Sequence, residues 1–246
     1  MLRFYFVFIK RLKLCLHLLV QCIIIISVKL RINYMKRILC YGDSNTWGYI
    51  SGTDHERYSE KQRWTRLLGK KLGRKYEIIE EGLNSRTLLS TDTRPGREGR
   101  EGLLWLKPCL DSQDKVDLVL LMLGTNELKN NFGKSAKDIA DMLFSAIDLI
   151  ENYKSQIDKS TPKVILLGLP PVNDTCEYCT HEEKYSGCRE KAENVNKIIK
   201  ERCQKIGVKF VDNSDLDVGE DGIHITEQSH AVLAAKIKKA IKEIGL

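Results

Sequence analysis

The sequence predicts an α/β domain, a three-layer α/β/α sandwich on a five-stranded parallel sheet. From Lys36 onward, short apolar runs alternate with longer amphipathic ones, the pattern left by repeated strand–helix units. One short run, Asp117–Leu123, is apolar after its first residue, as expected of a strand buried on both faces. The length, 246 residues, fits one domain of ordinary α/β size, with or without an appendage, and can bury a full core without staples.

Arg37–Tyr41 reads as the first strand, broken at once by Gly42-Asp43-Ser44. Arg63–Leu72 reads as a helix stopped by Gly73, and Tyr76–Glu80 as the second strand. Leu103–Leu110 reads as a short helix, bent or interrupted at Pro108, because proline removes a backbone donor and crowds the preceding turn. Asp117–Leu123 is the third strand. Ser135–Tyr153 is a long helix with Ile139, Met142, Leu143, Ile147 and Ile150 on one face, and Ser135 with Asp138 resembles a capping box. Lys163–Leu169 is the fourth strand, ended by Pro170-Pro171. A helix over Glu190–Ile206, a short fifth strand over Val208–Val211 and a closing helix over Gln228–Ile244 complete the chain.

Composition removes several function classes. Apolar residues at 42% and charged residues at 30% exclude disordered and collagen-like chains, and eight cysteines are too sparse for a small disulfide scaffold. The net charge of +7 is concentrated in residues 1–34, where Arg3, Lys10, Arg11, Lys13, Lys29 and Arg31 face no acid. The remainder is nearly neutral and gives no case for nucleic-acid binding.

Residues 1–34 differ in kind from the rest. Leu14–Val28 is a 15-residue apolar run broken by His17, Gln21 and Ser27; as a helix it would be roughly 22 Å long, short of a ~30 Å hydrocarbon core. Three readings compete: a signal anchor with snorkelling Lys13 and Lys29, a cleaved leader, although no small-x-small site follows, or an upstream extension preceding a true start at Met35. The domain is expected to span 35–246, in the cytoplasm, or at a membrane if residues 14–28 anchor it.

In parallel sheets ligands sit beyond the carboxyl ends of the strands. Those positions carry Gly42-Asp43-Ser44-Asn45-Thr46-Trp47-Gly48 after strand one, Glu81-Gly82-Leu83-Asn84-Ser85-Arg86-Thr87 after strand two, Gly124-Thr125-Asn126-Glu127 after strand three, and Asp221-Gly222-Ile223-His224 after strand five. Each has a bland reading. Ser44 suits a helix N-cap, Asn126 a turn, His224 the surface; Asp43 suits hydrogen bonding within its own turn. Together, at one edge of the predicted sheet, they are a much stronger signal than any of them alone. Gly82 is consistent with a backbone N–H approached closely by substrate, because no Cβ intervenes.

This constellation resembles the SGNH (GDSL-type) hydrolase family from Lys36 to about Lys239, with Ser44, Gly82, Asn126 and His224 matching the four name-giving residues. GDSNTWGY, Arg63-Trp64, EGLNSRT and LMLGTNE are similar to its aryl-esterase and acyltransferase branch. Asn45 stands where the GDSL name has leucine, and Glu127 where aspartate is usual. The resemblance implies a flavodoxin-like fold and a serine esterase for small esters, aryl or alkyl acetates or O-acetylated carbohydrate. Its catalytic residues would be Ser44, His224 and Asp221, its oxyanion donors Ser44, Gly82 and Asn126, and Trp47 would line the acyl site. No cofactor or metal is implied; the partner is a small ester, and an oligomer is compatible with it. A lysophospholipase or thioesterase for longer chains, and a non-catalytic ester- or carbohydrate-binding module, are the alternatives. The pocket walls are expected from loops Thr91–Gly102 and Asn173–Gly187. Cys176, Cys179, His181 and Cys188 open with a zinc-like C-x-x-C, but no second pair follows, and a variable loop is the simpler reading.

Overall fold

The computed structural model describes residues 17, 19–21, 35–180 and 184–246. The leader readings fall mostly, and His181 wholly, outside them; His17 and residues 19–21 are helical and exposed. Among the described residues no helix is long and apolar enough to cross a membrane.

Lys36–Leu246 forms one compact unit. Its strands are β1 (Lys36–Gly42), β2 (Tyr76–Gly82), β3 (Leu118–Met122), β4 (Lys163–Leu167) and β5 (Lys209–Val211). All pair in parallel, in the order β2-β1-β3-β4-β5. That is the flavodoxin-like order, in which the chain reverses its direction of winding between β1 and β3 and leaves a crevice beyond their carboxyl ends.

Strand alternation builds two cores from one sheet. Leu39, Tyr41, Val119, Leu121 and Leu166 point to one face. It is covered by α3 (Gly102–Ser112), α4 (Ala136–Asn152) and α6 (Cys188–Ile206). Ile38, Cys40, Leu118, Leu120, Ile165 and Leu167 point to the other, covered by α2 (Trp64–Leu72) and α7 (Glu227–Glu243). Each fully buried aliphatic side chain contributes roughly 1.5–3 kcal/mol relative to exposure. Cys40 is one of these apolar fillers, and Cys203 belongs to the opposite core.

The capping box is present: Ser135 Oγ accepts from the Asp138 amide and the Asp138 carboxylate accepts from the Ser135 amide. Pro108 does not interrupt its helix: it sits inside α3 without ending it. The carbonyl that its missing N–H cannot serve, that of Leu104, belongs to a turn whose Leu104 and Trp105 side chains are exposed, where losing one helix hydrogen bond costs least.

Two polar contacts fix α2 against its neighbours. Arg63 donates from Nε and Nη2 to the two oxygens of Glu80 on β2, at 2.7 and 2.9 Å. His230, fully buried in α7, accepts the Trp64 amide on Nδ1 at 3.2 Å, satisfying a donor that the first turn of a helix leaves orphaned. Burial, with a smaller repulsion from His224, lowers the His230 pKa to about 3. The unfolded chain binds a proton here below about pH 6.5, whereas the folded protein does not until much lower pH. The stability owed to a neutral His230 is therefore complete above that value and is lost as the pH falls. In His230→Asn the amide oxygen can still accept from Trp64 but cannot titrate. The stability of the wild type relative to this variant is expected to shrink by on the order of 2–3 kcal/mol between pH 6.5 and 4, measured by urea unfolding; a constant difference would show that His230 is protonated in the fold.

Candidate active site

Gly42 closes β1 where a Cβ would lie 2.1 Å from Thr46 Oγ1 and 2.6 Å from the Met122 carbonyl, so only glycine lets the chain turn this tightly. The next residues form α1 (Ser44–Trp47). Its N-cap is Asp43, whose Oδ1 accepts from the Asn45 amide at 2.9 Å. Burial pushes the Asp43 carboxyl up to about 6, partly offset by that amide, so Asp43 serves the turn rather than the cavity. Ser44 heads α1, and its own amide has no acceptor among the described residues.

His224 Nε2 lies 2.8 Å from Ser44 Oγ, and its Nδ1 lies 2.6 Å from Asp221 Oδ2. Burial raises the Asp221 pKa, but the His224 ring and the Ile223 and His224 amides overcome this and hold it at about 2. An ionised carboxylate only accepts, so Nδ1 carries the proton and Nε2 is left to accept from the serine. The Tyr49 ring stacks on the imidazole with centroids 4.4 Å apart. His230 is absent from this cavity.

The segment bearing His224 is tied down by Asn45. Its Nδ2 donates to the Ile223 carbonyl at 3.3 Å and its Oδ1 accepts from the Ile225 amide at 3.0 Å. Its own carbonyl accepts from Trp64 Nε1 at 3.1 Å. Cys179 Sγ donates to the Asp221 carbonyl and Cys188 Sγ to the Leu128 carbonyl. Among the described residues no group of three His, Cys, Asp or Glu side chains could hold a metal ion.

Asn126 opens a short 3-10 turn after β3. Its Nδ2 donates to the Arg86 carbonyl at 3.0 Å, and its Oδ1 accepts from Lys129 Nζ at 2.8 Å. The amide orientation is thereby fixed, with one N–H remaining. Arg86 Nη1 donates to the Gly42 and Glu81 carbonyls, clasping the ends of β1 and β2. Glu127 is fully buried and accepts the Leu88 amide; burial pushes it up to about 7 against such donors.

A cavity of about 310 Å³ contains Ser44, His224 and Asn126. The expected loops wall it, through Arg94 and Arg97 on one and Tyr178 and Tyr185 on the other. Two expected residues do not line it. Trp47 packs beneath the Arg57 guanidinium, 5.1 Å from its ring centre. Gly82 is glycine because a Cβ there would strike the Trp47 amide at 2.3 Å. Its N–H is also misdirected: the Leu83 amide donates to the Gly42 carbonyl, so by strand alternation the Gly82 amide points away from β1, at the open edge of the sheet. Ser85 lines the cavity instead, held at φ +63°, with an amide lacking any acceptor among the described residues. A left-handed serine costs of order 1 kcal/mol and leaves no mark in the sequence, which is why residue pattern alone passes it over.

A family model described as GDSL-like Lipase/Acylhydrolase matches residues 38–237. The aryl esterase of M. smegmatis is similar at 30% identity and TM-score 0.78, over 85% of this chain and 99% of that one. A carbohydrate acetylesterase from Sinorhizobium meliloti is similar at 30% identity and TM-score 0.78, again over 85% and 99%. A second member of a carbohydrate acetylesterase family from that organism matches at 25% identity and TM-score 0.78, over 86% and 100%. A search of the curated proteins finds no match. With the match extending over most of its length, the chain belongs to the GDSL-like lipase/acylhydrolase family and is a carboxylic ester hydrolase.

Proposed function

We propose that the protein hydrolyses small carboxylic esters, aryl or alkyl acetates or O-acetyl groups on carbohydrate, through an acyl-enzyme on Ser44. The observation that carries this is the unbroken relay from Ser44 Oγ through His224 to Asp221 at the mouth of a cavity of about 310 Å³. That volume suits a short acyl group better than a long chain.

His224 Nε2 takes the Ser44 proton as Oγ attacks the ester carbonyl, and Asp221 stabilises the imidazolium that forms. The oxyanion is received by the Ser44 and Ser85 amides and by the remaining N–H of Asn126, donors already oriented before substrate arrives. Collapse expels the alcohol, which takes its proton from His224; water then enters by the same route and releases the acid. An alcohol in place of that water would give acyl transfer.

Ser44→Ala is expected to abolish hydrolysis of a chromogenic acetate ester while the melting temperature stays within about a degree of wild type; near-wild-type turnover would rule Ser44 out as nucleophile. Asn126→Ala should lower kcat by roughly 10²–10³ while Ser44 still reacts with a fluorophosphonate, and a change in KM alone would make Asn126 a binding residue. Asn45→Ala leaves the Ile223 carbonyl and Ile225 amide unpaired, at about 1–3 kcal/mol each. It should lower the melting temperature by several degrees and kcat by at least roughly tenfold, with little change in KM; unchanged kcat would mean that His224 holds its position without it.

A further inference from the structure

The cavity beside Ser44 has a strongly cationic wall. Arg94, Arg97 and Lys129 line it, and among the described residues the one lining carboxylate is Asp221. Asp221 is fully engaged, with Oδ2 on His224 and Oδ1 on two backbone amides. It therefore has no capacity left to neutralise the wall.

The three cations differ in what satisfies them. Arg94 is paired with Asp92 through Nε and Nη2, at 2.9 and 2.5 Å. Lys129 is 6% exposed. Its ammonium makes one hydrogen bond among the described residues, to Asn126 Oδ1, and lies 5.9 Å from the Tyr185 ring centre. Two of its three N–H groups thus have no acceptor there. Burial, helped by repulsion from Arg94, draws its pKa down to about 8, so it still carries charge at neutral pH. Arg97 is half-buried, and its guanidinium has neither ion pair nor hydrogen bond among the described residues. Arg63 and Arg37, by contrast, are paired with Glu80 and Glu77. A sequestered cation with open donors costs stability unless an anion completes it.

We infer that the ester taken by this site carries a carboxylate, which seats against Lys129 and Arg97 while its ester carbonyl reaches Ser44. Lys129 donates to the same amide that faces the oxyanion, so the two positions are about two hydrogen-bond lengths apart, on the order of 6 Å. A carboxylate two or three bonds from the ester carbonyl spans that gap. It takes no part in the bond changes: Ser44 Oγ still bonds to the carbonyl carbon, the alcohol oxygen still leaves, and the proton still travels through His224. Lys129 is buried at the wall, where a charge contact is stronger than in open water and can govern selection. This inference rests on the acyl-enzyme reading and narrows its substrate class.

The test is steady-state kinetics on two matched pairs, each rate divided by the uncatalysed hydrolysis rate of the same ester. For an acid on the acyl side, the 4-nitrophenyl monoester of succinate is compared with 4-nitrophenyl butyrate. For an acid on the alcohol side, O-acetyl-lactate is compared with its methyl ester. At least one pair should favour the carboxylate by roughly tenfold or more in kcat/KM, and the preference should weaken as salt is raised. Arg97→Gln should reduce that ratio and Arg97→Glu should bring it below one; Arg97 is on a surface loop, and melting curves confirm that the variants are folded. A ratio at or below one for both pairs, or one indifferent to both Arg97 variants, overturns the inference. If the neutral esters are turned over and Ser44→Ala is dead, it falls alone. If no ester is turned over, the acyl-enzyme reading fails and this inference with it.

Discussion

The site depends on how the Asn45 side chain is used. A serine next to β1 and a histidine 180 residues later meet only if the C-terminal segment is held against the first turn; that segment pairs with itself through a single antiparallel bridge, Val218 to Ile225, which does not join it to β1. Asn45 makes the join: its amide offers a donor and an acceptor to the residues flanking His224, as a strand neighbour would. A leucine at this position would bury two backbone groups without partners, a cost of several kcal/mol. The Trp64 indole donates to the Asn45 carbonyl, and the Trp64 amide is taken by His230. α1, α2, α7 and the His224 segment are therefore fixed through one connected set of buried hydrogen bonds.

Around that set the chain accepts buried carboxyls in structural positions. Asp43 caps α1, and Glu127 receives backbone amides from the loop after β2. Burial shifts both toward their neutral forms, while Asp221, which receives two amides and an imidazole, stays ionised. The charge on Asp221 lies across the imidazole from Ser44, where it would stabilise the cation formed in the proposed proton transfer. Lys129, through Asn126, adds a positive charge on the oxyanion side.

The relatives are described as an aryl esterase and carbohydrate acetylesterases, chemistries that share the acyl transfer step and differ in the alcohol. That division matches the architecture. α1 and the segment before α7 carry Ser44, Asp221 and His224, whereas the loops of 91–102 and 173–187 carry walls of the cavity, and loops tolerate change without disturbing the sheet. A cationic wall on these loops is where this chain would set its own selectivity.

The sequence by itself determined the strand–helix alternation, the capping box at Ser135 and which serine, histidine and aspartate would meet, Ser44, His224 and Asp221. These are local signals: apolar period, turn chemistry and a few reactive residue types directly after strands. Tertiary structure decided what local pattern does not encode. Gly82 looked like a substrate-facing amide, but its side of the chain is filled by α1 and its N–H follows strand alternation to the sheet edge; the adjacent turn delivers Ser85 by a left-handed backbone that serine seldom adopts. Trp47 left the cavity because Arg57 covers its ring, and Pro108 passed through a helix because its turn faces solvent. Asn45, legible only as a departure from a motif, acquired its meaning from backbone groups 178 and 180 residues away. Contacts at that separation are set by how the sheet winds, and no window of sequence contains both partners.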